Sequence, residues 1–320
     1  MRRFPQWALA ASVLVLTACS PACTPPDAKN PEASKSGEGG GSAPEAEAEA
    51  GDEAEPKPSL PPGEMITEAR GVDLSKLSES KRSTFFQIIN SEPSACDKPH
   101  SLAKSLRDDA TCRDSLVAAQ FVADYIAAGG TTSEVRTALQ EVVSDLEPRE
   151  IPVEGRPVLG AERAPVTVVV FADFECPHCK QEAPLIREAV QQFRGRAKLV
   201  FKHFPLQAHP RAKPAAAAAE AAHRQGKFWE MHDIIFANQD ALDDGDLVGY
   251  AAKIGLDVAK FKADYKAAAQ LEAVDKDRAD GDEAGVDGTP AVFVNGRRAN
   301  GRYALFGGSI TGWIDDALKR

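Results

Sequence analysis

The sequence predicts an α/β domain with a long helical insertion, preceded by a small all-helical module and a disordered N-terminal tether. Three observations support this prediction. A strand–helix–strand pattern covers residues 166–203, and a Cys-x-x-Cys lies where the first strand meets the helix. An Ala-rich stretch with helical periodicity, residues 210–284, is followed by two short strands and a final helix. Residues 20–64 almost lack side chains that could form a core.

The first 18 residues predict an export signal. Two arginines precede an apolar stretch from Ala8 to Leu16, which is too short to remain as a membrane-spanning helix. The following Leu16-Thr17-Ala18-Cys19 resembles a bacterial lipobox, which would make Cys19 the lipidated N-terminus after cleavage of a signal peptide over 1–18. An ordinary signal peptide cleaved nearby is the alternative. We therefore expect a periplasmic protein anchored by lipid to the cell envelope, with Ser20 weakly favouring the outer membrane.

Residues 19–64 predict a disordered acidic linker rich in Pro, Gly, Ala and Glu. Ten acidic residues and three lysines lie between Asp27 and Glu64, a net charge of −7 out of −10 for the whole chain. The rest of the chain is therefore only mildly acidic. No basic patch suggests a nucleic-acid partner.

Residues 65–147 predict the small helical module. Amphipathic stretches cover 84–89 and 112–128, and a third begins at 132 and ends near Pro148. Cys96 lies in a loop between two prolines, whereas Cys112 begins the second amphipathic stretch. This module is too small to have a large core, so a covalent cross-link would stabilise it.

The six cysteines can be given roles by elimination. The chain has six cysteines, of which Cys19 is assigned to lipid and two belong to the Cys-x-x-Cys. Cys96 and Cys112 remain, and we expect them to form a structural disulfide that closes a loop of about 15 residues. A second redox-active pair is the alternative, because a cysteine at a helix start gains acidity. Cys23, in the tether, is left without an assigned role.

The strands and helices of the domain predicted over 150–320 can be assigned in chain order. Apolar, β-branched runs predict strands, and helical spacing of apolar residues predicts helices. The predicted strands are 166–171, 197–203, 291–295 and 298–303; the predicted helices are 177–194 and 307–319, with the helical stretch 210–284 between the second and third strands.

Cys176-Pro177-His178-Cys179 is the candidate reactive centre. A strand precedes it and a helix follows, so the sulfur of Cys176 faces the N-terminal end of that helix. This position favours the thiolate, the reactive form, and Cys179 lies one turn away where it can close a disulfide. Zinc would need two more ligands, haem attachment would need His at position 180, and a purely structural disulfide is unusual at this place.

The segment from Phe171 to Cys179 resembles the active-site segment of the DsbA-like branch of the thioredoxin superfamily. Residues 202–210, 225–233 and 285–296 resemble further segments of that family in the same order, so the resemblance covers about half of the chain. It implies a thioredoxin-like fold with a helical insertion over about 208–284. It also implies that Pro290 is the family's cis-proline and that Thr289 binds substrate backbone. The activity implied is thiol–disulfide exchange, without a cofactor or metal.

The reactive residues are expected to take different roles. Cys176 is the better-placed nucleophile and the more exposed thiol, and Cys179 is the resolving or leaving thiol. Pro177 and His178 tune the centre, since an imidazole beside Cys176 favours its thiolate. One position departs from the family pattern: Val170 stands six residues before Cys176, where the family often has a buried carboxylate. The group that takes the proton from Cys179 is therefore not identified by the sequence.

We expect the protein to oxidise cysteines of exported proteins, with an unidentified membrane or periplasmic redox partner and the lipid bilayer as further partners. The main alternative is a reductase or isomerase using the same centre. A non-catalytic peptide-binding module and a metal-delivery module are less favoured, because both cysteines are intact and the chain has only three methionines.

Overall fold

The computed structural model describes residues 65–299 and 305–320, which belong to one compact unit. The predicted signal peptide, Cys19 and the linker to residue 64 lie outside the described residues. The helices are α1 (Glu79–Ser91), α2 (Leu102–Asp108), α3 (Arg113–Ala127), α4 (Thr132–Leu146), α5 (Pro177–Gln192), α6 (Ala212–His223), α7 (Phe228–Ala237), α8 (Asp244–Lys253), α9 (Val258–Tyr265), α10 (Ala268–Glu283) and α11 (Ile310–Ala317). The strands are β1 (Val158–Gly160), β2 (Val166–Ala172), β3 (Ala197–His203), β4 (Ala291–Val294) and β5 (Arg297–Arg298).

The strands form one mixed sheet in the order β1-β3-β2-β4-β5. Strands β2 and β3 are parallel because α5 crosses between them, and the other neighbours are antiparallel. Strand β2 is central, and its side chains alternate between two cores: Val168 and Val170 belong to one, Val169 and Phe171 to the other. The predicted α/β class and thioredoxin-like arrangement are confirmed by this topology.

Several short elements differ from the sequence predictions. Helix α2 and strand β1 were not predicted, and the long helical stretch resolves into the five helices α6 to α10. The predicted strand 298–303 is found as Arg297–Arg298, and residues 300–304 lie outside the described part. The last helix begins at Ile310 rather than 307, because Phe306 and Gly307 adopt positive φ angles of 52° and 77° that end regular helix there.

A buried ion network ties the insertion to β3. Arg156 donates to Glu220 of α6 at 3.1 Å and to Asp277 of α10 at 2.8 Å. Lys202 of β3, whose side chain is 1% exposed, pairs with Asp277 at 3.3 Å and also with Asp280. Since each carboxylate meets at least one cation, the cost of burying these charges is offset within the network.

The helical module packs against the last elements of the chain. Asp114, in the first turn of α3, accepts from Arg297 of β5 at 3.0 Å and from Arg320 at 2.7 Å. Arg113 pairs with Asp316 of α11 at 3.3 Å. We call Asp114, Arg297 and Arg320 the arginine clamp. Buried residues of the module and of the sheet belong to the same main core, so the two segments pack together rather than standing apart.

Candidate functional site

Cys176 lies at the start of α5 for local reasons. It is the N-cap residue, and Pro177 follows at the first helical position, where a missing N–H costs nothing. The carbonyl of Cys176 accepts the first helical bond, from the N–H of Lys180 at 3.2 Å. Cys176 therefore lies at the N-terminal end of α5, as the sequence predicted.

The two thiols are free and both are buried. Cys176 is 4% exposed and Cys179 is 1% exposed, so the predicted greater exposure of Cys176 is found only as a small difference. Side chains that follow Cys176 in sequence, Pro177 and His178, are exposed instead. The prediction did not account for the loop carrying Thr289, which covers the Cys176 sulfur.

The peptide bond between Thr289 and Pro290 is cis. The thiol of Cys176 donates to the carbonyl oxygen of Thr289 at 3.4 Å, which brings the loop before β4 to the start of α5. The structure therefore places together the four residues of the Cys-x-x-Cys and the two residues of this loop. The two segments are more than 100 residues apart in the sequence. Only the resemblance to the family predicted that they would lie close together.

The surroundings of Cys179 are apolar. Burial raises the pKa of its thiol well above the usual range, which favours the protonated form. The backbone N–H of Asp173 donates to the Cys179 sulfur at 3.4 Å. The Asp173 carboxylate itself accepts from the N–H of Leu206 at 2.8 Å and lies 2.7 Å from Nδ1 of His209. It therefore already has hydrogen-bond partners other than Cys179.

Further side chains fix the loop before α5. The amide of Gln239 donates to the carbonyls of Phe174 at 2.8 Å and Cys176 at 2.9 Å. Glu175 accepts from the backbone N–H of Arg211 at 2.7 Å. Sequence reasoning missed these residues. Glu175 could have been found from its place next to the Cys-x-x-Cys, whereas nothing in the sequence marks Gln239.

A groove beside the thiols is open to solvent. Its lining includes His178 and Leu185 of α5, Thr289 and Pro290 of the cis loop, and Trp313 of α11. Leu185 lies on the exposed side of α5 and is itself 56% exposed, so the groove presents an apolar side chain to solvent.

The remaining described cysteines form a disulfide between Cys96 and Cys112. Cys112 is the N-cap residue of α3 and is buried, whereas Cys96 is half-buried. The hydroxyl of Ser115 lies 2.9 Å from the Cys112 sulfur. The pairing is as expected, and its structural role stays a prediction.

The described residues hold no group of three or more His, Cys, Asp or Glu side chains arranged for a metal ion. Within the same residues, no helix has the length and apolar character needed to cross a membrane.

Comparison with known proteins agrees with this geometry. Residues 153–310 match the family model described as Thioredoxin. These residues form a domain of the thioredoxin family. The match covers the thioredoxin-family domain from before β1 to the start of α11, including the Cys-x-x-Cys and the cis-proline.

Curated relatives share sequence with about half of the chain. The Na(+)/H(+) antiporter NhaA 3 of Salinispora tropica is 48% identical over 152 residues, which are 46% of this chain and 23% of that protein. The NhaA of Herminiimonas arsenicoxydans is 40% identical over 146 residues, again 46% and 23%. The chain thus matches about a quarter of the length of these relatives. The antiporter name was given to the full-length relatives, of which this chain matches only a part.

Two solved structures resemble the thioredoxin-family domain. Oxidised BdbD from Bacillus subtilis is 26% identical and covers 55% of this chain and 100% of its own, with a TM-score of 0.49. The thiol–disulfide exchange protein alpha-DsbA2 from Wolbachia pipientis is 19% identical and covers 64% and 97%, with a TM-score of 0.45. Neither score reaches 0.5, so the fold assignment rests on the sheet order and the family match.

Proposed function

We propose that the protein is a DsbA-like thiol–disulfide oxidoreductase that oxidises cysteines of exported proteins. One observation carries the proposal: two free thiols one helical turn apart, at the N-terminus of α5, lie beside the cis loop and an open groove. An exchange centre needs a nucleophilic thiol, a second thiol to resolve the intermediate and access for a peptide.

The exchange runs in two steps that conserve electrons. A substrate thiolate attacks the sulfur of Cys176 in the disulfide form, and Cys179 leaves as a thiolate with the electron pair of the broken bond. A second substrate thiolate then attacks the mixed disulfide and releases Cys176. The substrate loses two electrons, and the centre becomes a dithiol.

The oxidising direction is supported by the position of Cys176. Cys176 is the N-cap residue of α5, and the positive end of a helix dipole favours a negatively charged group at that position. Stabilising the reduced form makes the couple a stronger oxidant. A reductase would use the same steps in reverse, whereas an isomerase would form the mixed disulfide and then be displaced by a different substrate thiolate.

A thiol assay tests the proposal. The oxidised chain is mixed with a reduced, unfolded test protein, and the loss of free thiols is followed. We expect Cys176→Ser to abolish the reaction, and Cys23→Ser, which changes a cysteine outside the centre, to leave it intact. Full activity of Cys176→Ser would contradict the proposed function. Reduction of disulfides by the dithiol form faster than oxidation by the disulfide form would reverse the direction.

We also propose that the chain is anchored to the cell envelope through lipid on Cys19 and meets its substrates and its redox partner in the periplasm. The support is the sequence Leu16-Thr17-Ala18-Cys19 after a short apolar stretch. Labelling of cells with a radioactive fatty acid should mark the unmodified chain but not Cys19→Ala. Equal labelling of both would argue against this anchor.

A further inference from the structure

The exchange requires that Cys179 lose and regain a proton inside the protein. Burial holds this thiol in its protonated form, yet it must be a thiolate to attack a mixed disulfide. Val170 replaces the expected carboxylate on the adjacent strand, and the Asp173 carboxylate is bonded to Leu206 and His209. A different group must therefore exchange protons with Cys179.

His232, on α7, has a free acceptor nitrogen in its neutral form. Its Nδ1 lies 2.8 Å from Oδ1 of Asp233, and Arg187 donates twice to the same carboxylate at 2.8 Å. Burial alone would raise the pKa of Asp233, but the bonds from His232 and Arg187 outweigh burial and lower it. Because the carboxylate is ionised and accepts, Nδ1 of His232 carries the hydrogen and Nε2 is the acceptor.

His232 lies between the interior and the surface. A small cavity is lined by Cys179, Val170 and His232, and it offers about 10 Å³ to the centre of a water molecule, close to the minimum for one. On its other side, His232 lines an outer groove of about 430 Å³ together with Lys180 and Asp233. His232 thus separates the Cys179 cavity from a groove that is open to solvent.

We propose that His232 takes the proton of Cys179, through a water molecule in the small cavity, when Cys179 attacks a mixed disulfide. The proton leaves through the outer groove. When Cys179 is the leaving thiolate, His232 takes a proton from solvent in the outer groove and passes it to the Cys179 sulfur through the same water molecule. This inference rests on the proposed exchange function, because it assigns a role within that reaction.

The surroundings of His232 keep its imidazole neutral, so that it can accept a proton. The titratable and charged groups around it are Asp233 on its own helix and His203 on β3. On α5 they are Cys179 and Arg187, and Lys180 and Glu188 at the outer groove. Burial lowers the pKa of His232, which outweighs the opposite effect of the Asp233 carboxylate. The imidazole is therefore neutral near pH 7 and can act as a base.

The test follows one turnover of the dithiol form with oxidised glutathione. Cys176 attacks the glutathione disulfide, and Cys179 then resolves the mixed disulfide and releases the second glutathione. Samples quenched in acid and weighed by mass spectrometry give the rate of each step. We expect His232→Gln to form the mixed disulfide at the normal rate and to resolve it at least about tenfold more slowly at pH 7.

Two controls separate the outcomes. His223→Gln, which changes a histidine that lines neither cavity, should resolve at the normal rate. An equal rate in His232→Gln would overturn the inference, whereas a chain that forms no mixed disulfide on Cys176 would overturn the proposed function itself.

The unmodified chain provides a second test that does not depend on the folding of a variant. With His232 as the base, the resolution rate should level off above the pKa of His232, and should be nearly constant from about pH 7 to pH 8.5. A tenfold rise with each pH unit across that range would mean that hydroxide removes the proton, and would contradict the role of His232.

Discussion

At the residue scale, the two thiols of the centre differ in their contacts more than in their exposure. The Cys176 sulfur meets the N-terminus of α5 and the carbonyl of Thr289. The Cys179 sulfur lines the small cavity together with His232 and accepts from the N–H of Asp173 at 3.4 Å. Substrates should therefore react at Cys176, while Cys179 acts within the chain.

Cys179→Ser should accumulate mixed disulfides with substrate proteins. The variant retains Cys176, which forms the intermolecular bond, but lacks the thiol that resolves it by intramolecular attack. Non-reducing electrophoresis of envelope extracts would show the adducts, and Cys176→Ser would be the matched control without them. Adducts of equal amount in both variants would contradict this division of roles.

His178→Ala should make the Cys176–Cys179 couple more reducing. The replacement removes the imidazole, a hydrogen-bond donor beside Cys176, and so destabilises the dithiol form. We expect a shift of about 30 mV or more to lower potential, which is about a tenfold change in the equilibrium constant. Equilibration with glutathione measures it. An unchanged potential would show that exposed His178 does not act on the centre.

The sequence was enough to identify the two cysteines of the centre, but not the side chains that surround them. Cys-x-x-Cys at the start of a helix indicated the chemistry, since both features are local in sequence. Gln239 and His232 reach the site through the insertion, more than 50 positions away, and no local pattern marks them. The burial of Cys176 also depends on a distant loop, which explains why its exposure was overestimated.

At the element scale, the predictions succeeded where periodicity extends over many residues. Strand β3 has the predicted bounds, and α5 ends at Gln192 rather than 194. Strand β1 has three residues and β5 has two, too few to show alternation. Helix α2 has only seven residues and lies between the prolines and Cys112, in a stretch for which no element was predicted.

The ion network between β3 and the insertion predicts an acid-sensitive stability. Burial alone would raise the pKa of Glu220, but the hydrogen bond from His203 and the charges of His203 and Arg156 outweigh it and lower the pKa to about 2. A carboxylate whose pKa is lowered by folding stabilises the protein above its unfolded pKa, about 4.3. This contribution, on the order of 3 kcal/mol, is lost as the pH falls from about 4.5 to 2.

Urea unfolding between pH 7 and pH 2.5 measures this dependence. Glu220→Gln should be less stable at pH 7 and should lose much of the decline below pH 4.5. Asp275→Asn, which removes an exposed carboxylate paired with Lys213, is the control and should follow the unmodified chain. Parallel curves for Glu220→Gln and the unmodified chain would contradict the assignment.

The Cys96–Cys112 disulfide should stabilise the helical module. It joins residues 16 apart, and a cross-link of that span contributes about 3 kcal/mol in a chain-entropy estimate. We expect this pair to be reduced more slowly than Cys176–Cys179, since Cys112 is buried and folded helices flank the bond. Peptide mapping after brief treatment with a mild reductant compares the two. Equal rates would favour a redox role for Cys96 and Cys112.

At the scale of the whole molecule, the arginine clamp links the first half of the chain to the last. Asp114→Asn would leave Arg297 and Arg320 without their shared carboxylate. Because these side chains are only partly buried, we expect a loss of about 2 kcal/mol, between the values for exposed and buried pairs. Asp108→Asn, in a more exposed pair that solvent screens, should cost clearly less. Chemical denaturation of the two variants measures the difference, and equal losses would contradict a special role for the clamp.

The arginine clamp also limits how the protein can be divided. A fragment cut at residue 150 would keep the reactive centre but would lose the module's share of the common core and would leave Arg297 and Arg320 without Asp114. Such a fragment should aggregate or bind other proteins indiscriminately. Grafting the centre onto another protein would therefore require the preceding 80 or so residues to travel with it, or an acidic side chain in the host that takes the place of Asp114.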